Sequence, residues 1–242
     1  MEKQREVKAL KEAKALWFLT EGDQDLARRD LEIPAERTQV MPYGLSLDRF
    51  HAPRQTSEGP PRVLLFGSFA ADFNQDALDF TLEEVWPRLK QLKPNVDLTI
   101  AGGGMTSAIE ERIRKAGATV RGMVKDVPSL LGEATVVLIP LRYGGGLRIR
   151  LLEALACECA VVGTGVGVLG MGPEAERHVL VGETAQELAG QVARLLEDPE
   201  LRRELGKQGR DWVLANRDLA TVSEKQTEVV RKTLDHGRGS YK

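Results

Sequence analysis

From Arg62 onward, short apolar runs alternate with longer amphipathic segments, and this alternation limits the fold more than any other feature of the chain. The apolar runs have the length of buried strands, and we place these strands at 63–67, 97–102, 118–121, 135–140, 160–164 and 178–182. Strands that alternate with helices form a parallel sheet with a helical layer on each face. We therefore predict an α/β protein, a Rossmann-like parallel sheet with helices on both faces.

The segments between these strands have helical spacing of their apolar residues. We predict helices at 76–92, 107–116 and 147–157, two or three more over 182–218, and an exposed one with a frayed tail in the last 20 residues. Asp126 before Val127 and Pro128 is typical of a helix start, because proline fits the first turn. Before Arg62 we predict helices at 1–14 and near 23–30, and short strands at 15–20 and 38–41.

The stretch 135–165 reads as one strand, glycine turn, helix and strand unit. Three glycines, 144 to 146, open the helix and leave its first N–H groups uncovered, which suits an anion such as pyrophosphate. Arg150 and Glu153 form a polar stripe on an otherwise apolar helix, so Glu153 needs a partner. Two interpretations remain: an i,i+3 ion pair with Arg150, or hydrogen bonds from ligand hydroxyls over the glycine turn.

Composition excludes several classes of protein. The 34 basic and 36 acidic residues give a net charge of −2, and aromatic residues make up 5%, so nothing indicates nucleic-acid binding. Cys157 and Cys159 fit neither a disulfide framework nor a metal site, as in a reduced cytoplasmic protein. No apolar run reaches 18 residues and the N-terminus is charged, so any membrane contact is peripheral.

Glycine turns follow three of the predicted strands, at 67–68, 102–104 and 144–146. In parallel sheets ligands bind at the carboxyl ends of the strands, where these turns lie. The turn at 102–104 has a simpler interpretation, as a requirement of backbone geometry alone. The sequence has no P-loop motif, and no GxGxxG opens the helix after the first regular strand, which disfavours a dinucleotide dehydrogenase.

The order of these motifs resembles the C-terminal, donor-binding half of the group 1 (family 4) glycosyltransferases, which have the two-domain GT-B fold. The resemblance covers about residues 38–215. The matching motifs are VMPYGLSLDRF (40–50), VLLFGSF (63–69) with Asn74 beyond it, LTIAGGG (98–104), VRGMVKDV (120–127), the central segment 136–170 and the helical segment 183–210.

The resemblance implies roles for ten residues around a nucleotide sugar. Glu153 matches the second glutamate of the family's E-x7-E motif, which bonds the ribose hydroxyls. Gly146, Leu147 and Arg148 match a turn whose N–H groups face the diphosphate, and either Arg148 or Arg150 adds positive charge.

The other implied residues contact the base and the phosphates. Met123 and Val124 match the segment whose backbone lies against the base, and Gly67 and Ser68 match the loop that approaches the phosphates. The first glutamate of E-x7-E is replaced by Gly145, as in a subset of the family, and the basic pair of many members is absent from AADFNQ. Arg148, Arg150 or the helix dipole must then neutralise the diphosphate.

The resemblance also implies a division of the chain. Residues 1–37 correspond to a remnant of the N-terminal GT-B domain, 38–61 to a linker, 62–215 to the nucleotide-sugar-binding domain, and 216–242 to a C-terminal helix and tail. In a full enzyme, apolar residues 17–19 would be buried in the N-terminal domain. We expect them here to be covered by the first helix, the C-terminal helix or a second copy or partner chain.

The sequence is compatible with three functions. The first is transfer of a hexose from a nucleotide diphosphate sugar, retaining if it follows the family, without a metal or other cofactor, to an acceptor that the sequence does not identify. The second is a nucleotide-sugar-binding module or subunit without turnover. The third and weakest is a nucleotide-sugar 2-epimerase, which shares the two-domain shape.

Overall fold

The computed structural model describes residues 2–50, 59–144, 146–168 and 170–239. They fall in two compact units. The larger unit is Leu47–Ala215, and the smaller one combines Met1–Ser46 with Asn216–Lys242. Residues 51–58 of the predicted linker and 240–242 of the predicted tail lie outside the described residues.

The larger unit is built on a six-stranded sheet whose neighbouring strands all pair in parallel. Its strands are β3 (Arg62–Phe66), β4 (Asp97–Ala101), β5 (Thr119–Gly122), β6 (Val136–Ile139), β7 (Val161–Gly163) and β8 (Leu180–Val181). Their order across the sheet is β5-β4-β3-β6-β7-β8. The predicted fold class is confirmed, and each of the six predicted strands is present within two residues of its expected bounds.

Helices connect these strands. The connecting helices are α3 (Asp72–Phe80), α4 (Trp86–Leu92), α5 (Ser107–Lys115), α6 (Val127–Gly132), α7 (Ile149–Ala156) and α8 (Gly165–Val168), and after β8 the chain continues into α9 (Ala185–Glu197) and α10 (Pro199–Arg217). Asp126 caps α6 by accepting a hydrogen bond from the Ser129 N–H at 3.1 Å, as its position before Pro128 predicts. The short helix α8 lies between β7 and β8, where we predicted no helix.

The core forms where the strands are apolar along their whole length. On β3, Val63 is paired with Leu98 of β4 and Val136 of β6, and all three side chains are fully buried. Continuous apolar runs of this kind are expected of strands that helices cover on both faces. The strand ends are thereby held in a fixed register, and the turns that follow them are positioned by it.

The connection between β3 and β4 differs from the single helix predicted at 76–92. The helix begins four residues earlier, at Asp72, and a π-helical turn, Thr81–Val85, separates α3 from α4. Proline cannot donate to a helical ladder and clashes with the carbonyl four residues before it. Pro87 is the second residue after this turn, and the carbonyl four residues before it belongs to Glu83 inside the turn. The wider turn accommodates the proline without ending the helical path.

The smaller unit contains a two-stranded parallel sheet, β1 (Leu16–Phe18) and β2 (Thr38–Val40), with helices α1 (Glu2–Glu12), α2 (Glu21–Leu31) and α11 (Leu219–Gly239). The Trp17 indole donates a hydrogen bond to Thr233 Oγ1 of α11 at 3.1 Å. Trp17 and Leu19 nevertheless remain 49% and 46% exposed. The C-terminal helix, one of the elements expected to cover these residues, therefore contacts Trp17 but leaves about half of its surface exposed.

Among the described residues, no helix combines the length and the apolar character needed to cross a bilayer.

Candidate functional site

A cavity of about 320 Å³ opens at the carboxyl ends of the strands in the larger unit. Its walls come from the residues that follow three neighbouring strands and from the start of α7. These residues are Phe66 at the end of β3 with Gly67 and Ser68 after it, Ala101 at the end of β4 with Gly102 and Gly103 after it, Met123, Val124, Val127 and Leu130 after β5, and Leu147, Ile149, Arg150 and Glu153.

The cavity lies where the winding of the sheet reverses. From β3 the chain moves to β4 and β5 on one side, and then returns to β6 on the other side of β3. Loops on opposite sides of such a switch point diverge and leave a crevice, the usual ligand site of open α/β sheets. Sheet topology therefore fixes where this crevice lies.

Two glycine turns interlock along one wall. The Gly67 N–H donates to Ala101 O at 3.0 Å and the Phe69 N–H donates to Gly103 O at 2.8 Å. A Cβ at Gly102, whose φ is +146°, would lie 1.7 Å from the carbonyl oxygen of Gly67. The simple interpretation of 102–104, a turn required by backbone geometry, is thus correct at Gly102, although Gly102 also lines the cavity.

Arg150 is a largely buried cation in the cavity wall. Its Nη1 donates to Phe66 O at 2.9 Å and its Nη2 donates to Asn74 Oδ1 at 2.5 Å. Burial lowers the pKa of Arg150 to about 10, and the positive charge of Arg148 adds to this shift while Glu153 opposes it. The guanidinium is still charged at neutral pH. Within the described ranges, no carboxylate forms an ion pair with it.

Glu153 lies one helical turn beyond Arg150 and lines the same cavity. Burial raises the pKa of Glu153, and the nearby charges of Arg150 and Arg49 act in the opposite direction. The direct i,i+3 ion pair with Arg150 is not formed, because that guanidinium bonds Phe66 O and Asn74 instead. The described part of the chain supplies the Glu153 carboxylate with no hydrogen-bond donor.

Arg148 has a different environment from Arg150, although the two are only two residues apart. Its side chain is 6% exposed and donates to the carbonyls of Gly144 at 2.7 Å, Gly146 at 3.2 Å and Val166 at 3.4 Å. Its backbone N–H donates to Met171 Sδ at 3.1 Å. Arg148 therefore stabilises the chain at Gly144 and Gly146 by donating to the carbonyls of both residues.

The end of the cavity near β5 is apolar. Val127 and Leu130 of α6 line it, together with Met123, which is 80% exposed. A large exposed apolar side chain beside an apolar pocket suits the face of a planar group. The cavity thus has a charged end at Arg150 and an apolar end at Met123.

The structure brings most of the ten sequence-predicted residues together. Those that line the cavity are Gly67, Ser68, Met123, Val124, Leu147, Arg150 and Glu153. Gly146, whose φ is +80°, and Arg148 belong to the adjoining turn rather than to the lining. Gly145 lies outside the described residues.

Sequence reasoning gave Asn74 no role, although it contacts both Arg150 and the loop after β3. A signal was present, since an amide a few residues beyond a glycine turn can bond the carbonyls of that loop. The predicted helix begins at Asp76, beyond Asn74, whereas in the structure Asn74 lies in the first turn of α3 and is buried.

The parallel sheet and its crevice place the chain among the doubly wound α/β proteins. A family model described as "Glycosyl transferases group 1" matches residues 60–198, more than half of the chain. The chain belongs to this glycosyltransferase family.

Curated relatives agree with this assignment. The alpha-D-kanosaminyltransferase of Streptomyces kanamyceticus is 26% identical, over 93% of this chain and 62% of its own length. A GDP-mannose-dependent alpha-(1-6)-phosphatidylinositol monomannoside mannosyltransferase of Mycobacterium tuberculosis is 28% identical, over 82% of this chain and 57% of its own. The chain therefore spans about three fifths of the length of these relatives.

Solved structures show the same fold. Anabaena Alr3699/HepE in complex with UDP and glucose has a TM-score of 0.77 at 16% identity, covering 94% of this chain and 66% of that one. Sucrose-phosphate synthase from Thermosynechococcus elongatus has a TM-score of 0.78 at 21% identity, covering 96% and 61%. The resemblance to the C-terminal half of a GT-B glycosyltransferase is confirmed.

Proposed function

We propose that the chain is the donor-binding half of a glycosyltransferase and that its cavity binds a nucleoside diphosphate sugar. The observation that carries this proposal is Arg150, a largely buried cation in the cavity wall whose hydrogen-bond partners among the described residues, Phe66 O and Asn74, are both neutral. Burying a cation is unfavourable unless an anion compensates it, and Arg148 nearby makes the need greater. A diphosphate supplies that anion.

The remaining walls suit the other parts of such a donor. Glu153, with no donor among the described residues, accepts hydrogen bonds from the ribose hydroxyls, and the apolar end at Met123 and Val124 receives the base. Alr3699/HepE is described in complex with UDP, and the mycobacterial relative is named as GDP-mannose-dependent. These names support UDP and GDP as the first probes.

In the reaction we propose, a hexose leaves the diphosphate and is transferred to an acceptor with retention of configuration, as the resemblance implies. Negative charge develops on the departing diphosphate as the glycosidic bond breaks. Arg150 stabilises that charge, and because its position is fixed by Phe66 O and Asn74 before the reaction begins, little reorganisation is needed. Leu147 and Gly146, held by Arg148, contribute backbone N–H groups.

Replacing Glu153 with Ala should weaken binding of UDP or GDP by about 1.5–3 kcal/mol, because hydrogen bonds to a charged group are lost. Isothermal titration calorimetry measures this difference. Glu111→Ala is a matched control, since Glu111 is an exposed carboxylate on α5 that pairs only with Lys115 among the described residues, and its affinity should equal that of the unchanged protein. Equal affinities for all three proteins would remove Glu153 from the site.

The same carboxylate should make binding depend on pH. Protonation removes the charged acceptor, so affinity should fall as the pH decreases through the pKa of Glu153. Since burial raises this pKa, the fall should begin at a higher pH than for an exposed glutamate. Glu153→Gln provides the reference, because it retains the titration of the nucleotide and lacks that of the carboxylate.

A second candidate is a binding subunit that requires a partner chain. The partial exposure of Trp17 and Leu19 in the smaller unit favours it, since apolar surface of this kind is typical of interfaces. Incubation of the purified chain with UDP-glucose and GDP-mannose, followed by assay for released or transferred sugar, distinguishes the two functions. Binding without sugar release, together with a self-associated species in light scattering, supports the subunit, and turnover by a monomer excludes it.

A further inference from the structure

Asn74 is a buried amide that joins two parts of the cavity wall. It is 3% exposed, its Nδ2 donates to Ser68 O at 2.6 Å, and its Oδ1 accepts from Arg150 Nη2 at 2.5 Å. The orientation of the amide follows from its partners, because a backbone carbonyl can only accept and a guanidinium can only donate. Asn74 therefore links the loop after β3 to the start of α7.

The position of the Arg150 guanidinium depends on this link. A long arginine side chain has several rotatable bonds, and holding it in one orientation requires fixed acceptors. Phe66 O holds one amino group, and Asn74 holds the other. The guanidinium then lies directly over Gly67, where a Cβ would be 2.7 Å from Nη1.

Neutrality of the acceptor matters as much as its position. An aspartate in place of Asn74 would offer Arg150 a carboxylate, and the resulting ion pair would cancel the positive charge at the cavity wall. An amide holds the cation without neutralising it. The charge thus stays available to an anion from the cavity side.

We propose that Asn74 is a positioning residue for anion recognition, which orients the Arg150 guanidinium toward the cavity while adding no negative charge of its own. The inference rests on the proposed function, because it assigns that charge to the diphosphate of the donor. It predicts a specific pattern: changes at Asn74 weaken the diphosphate contacts and spare those of the nucleoside.

Gln75 provides a matched control within the same helical turn. Its Nε2 donates to Phe69 O at 2.7 Å, so it anchors the same loop to α3. It makes no hydrogen bond with Arg150 in the described structure. Removing the Gln75 side chain therefore measures how a loosened loop after β3 affects binding when the hydrogen bond between Asn74 and Arg150 is kept.

The experiment compares the affinities of UDP and uridine, and of GDP and guanosine, for the unchanged chain and for Asn74→Ala, Asn74→Asp and Gln75→Ala. Calorimetry measures the diphosphates, and competition measures the weaker nucleosides. Circular dichroism and urea unfolding establish that each variant is folded. If Asn74→Ala does not fold, Asn74→Asp, which has nearly the same shape, decides the outcome.

We expect Asn74→Ala to lower diphosphate affinity at least about tenfold, Asn74→Asp to lower it further, and both to change nucleoside affinity by less than about twofold. Gln75→Ala should leave the ratio of diphosphate to nucleoside affinity unchanged. A ratio for Asn74→Asp within about twofold of the unchanged chain overturns the inference and leaves the proposed function intact. If the unchanged chain binds none of the four probes, both are overturned.

Discussion

Replacing Gly102 with Ala is expected to destabilise the larger unit by about 3 kcal/mol or more. The added Cβ would lie 1.7 Å from Gly67 O and 2.8 Å from Gly67 C, both backbone atoms that cannot rotate away. Gly102 also has a φ of +146°, a conformation that side-chain-bearing residues rarely adopt. The two turns must separate, and the hydrogen bonds that join them are lost. The midpoint of urea unfolding, followed by circular dichroism, measures the effect.

Gly190→Ala is the control for this substitution. Gly190 lies inside α9, and a Cβ there would meet no other atom within 4 Å. Alanine lowers the conformational entropy of the unfolded chain and favours helix, so this variant should gain about 0.5–1 kcal/mol. Both substitutions replace glycine with alanine, but their effects on the free energy of unfolding should have opposite signs. A Gly102→Ala variant as stable as the unchanged protein would contradict the interlocked turns.

Arg150→Met should lower the affinity for UDP or GDP about 100-fold or more, because the diphosphate loses a buried, charge-assisted partner. Its effect on folding should be smaller. Phe66 O and Asn74 lose a donor, but the repulsion between Arg148 and Arg150 and the desolvation of a cation also disappear. Calorimetry and urea unfolding on the same samples separate binding from stability.

Two further variants sharpen this test. Arg150→Lys keeps a positive charge without the second amino group, so it should recover part of the lost affinity. Arg142→Met is the surface control, since Arg142 is 46% exposed and pairs with Asp76 rather than lining the cavity. Its affinity for UDP and GDP should be unchanged. A loss of equal size in both methionine variants would indicate general electrostatic attraction instead of a site at Arg150.

The sheet was predictable because its signal is local. The run 63–66, for example, is apolar at every position and buried. Short runs of this kind are expected of strands that helices cover on both faces. Parallel order then brings the turns at 67, 102 and 123 to one edge. The register of the strands brings those residues to one cavity. No knowledge of individual side-chain contacts is needed to predict this.

The different environments of Arg148 and Arg150 were not predictable from the sequence. Both follow the glycine turn, and helical spacing separates their directions by about 200° without showing what lies on either side. Contacts from distant segments decide the matter: Val166 and Met171 surround Arg148, whereas Phe66 and Asn74 receive Arg150. Such partners are 18 residues or more away along the chain, beyond the reach of any periodicity argument.

The π-helical turn before Pro87 illustrates a second kind of limit. The apolar spacing over 76–92 indicates a helix correctly, but it does not state how a proline inside that helix is tolerated. Thr81 Oγ1 donates to Ala77 O at 2.7 Å just where the ladder widens. How the helix tolerates the proline depends on local backbone geometry. Other sequences with the same apolar pattern could form a kink or a break at this point instead.

The carbonyl of Gly67 occupies the space that a side chain at position 102 would need, and this has a practical consequence for engineering the protein. The loops after β3 and β4 cannot be exchanged one at a time, because each is shaped to the other's backbone. A graft intended to change donor preference would have to transfer both loops, with Asn74, as a single cassette. Libraries that randomise one loop alone should return mostly misfolded clones.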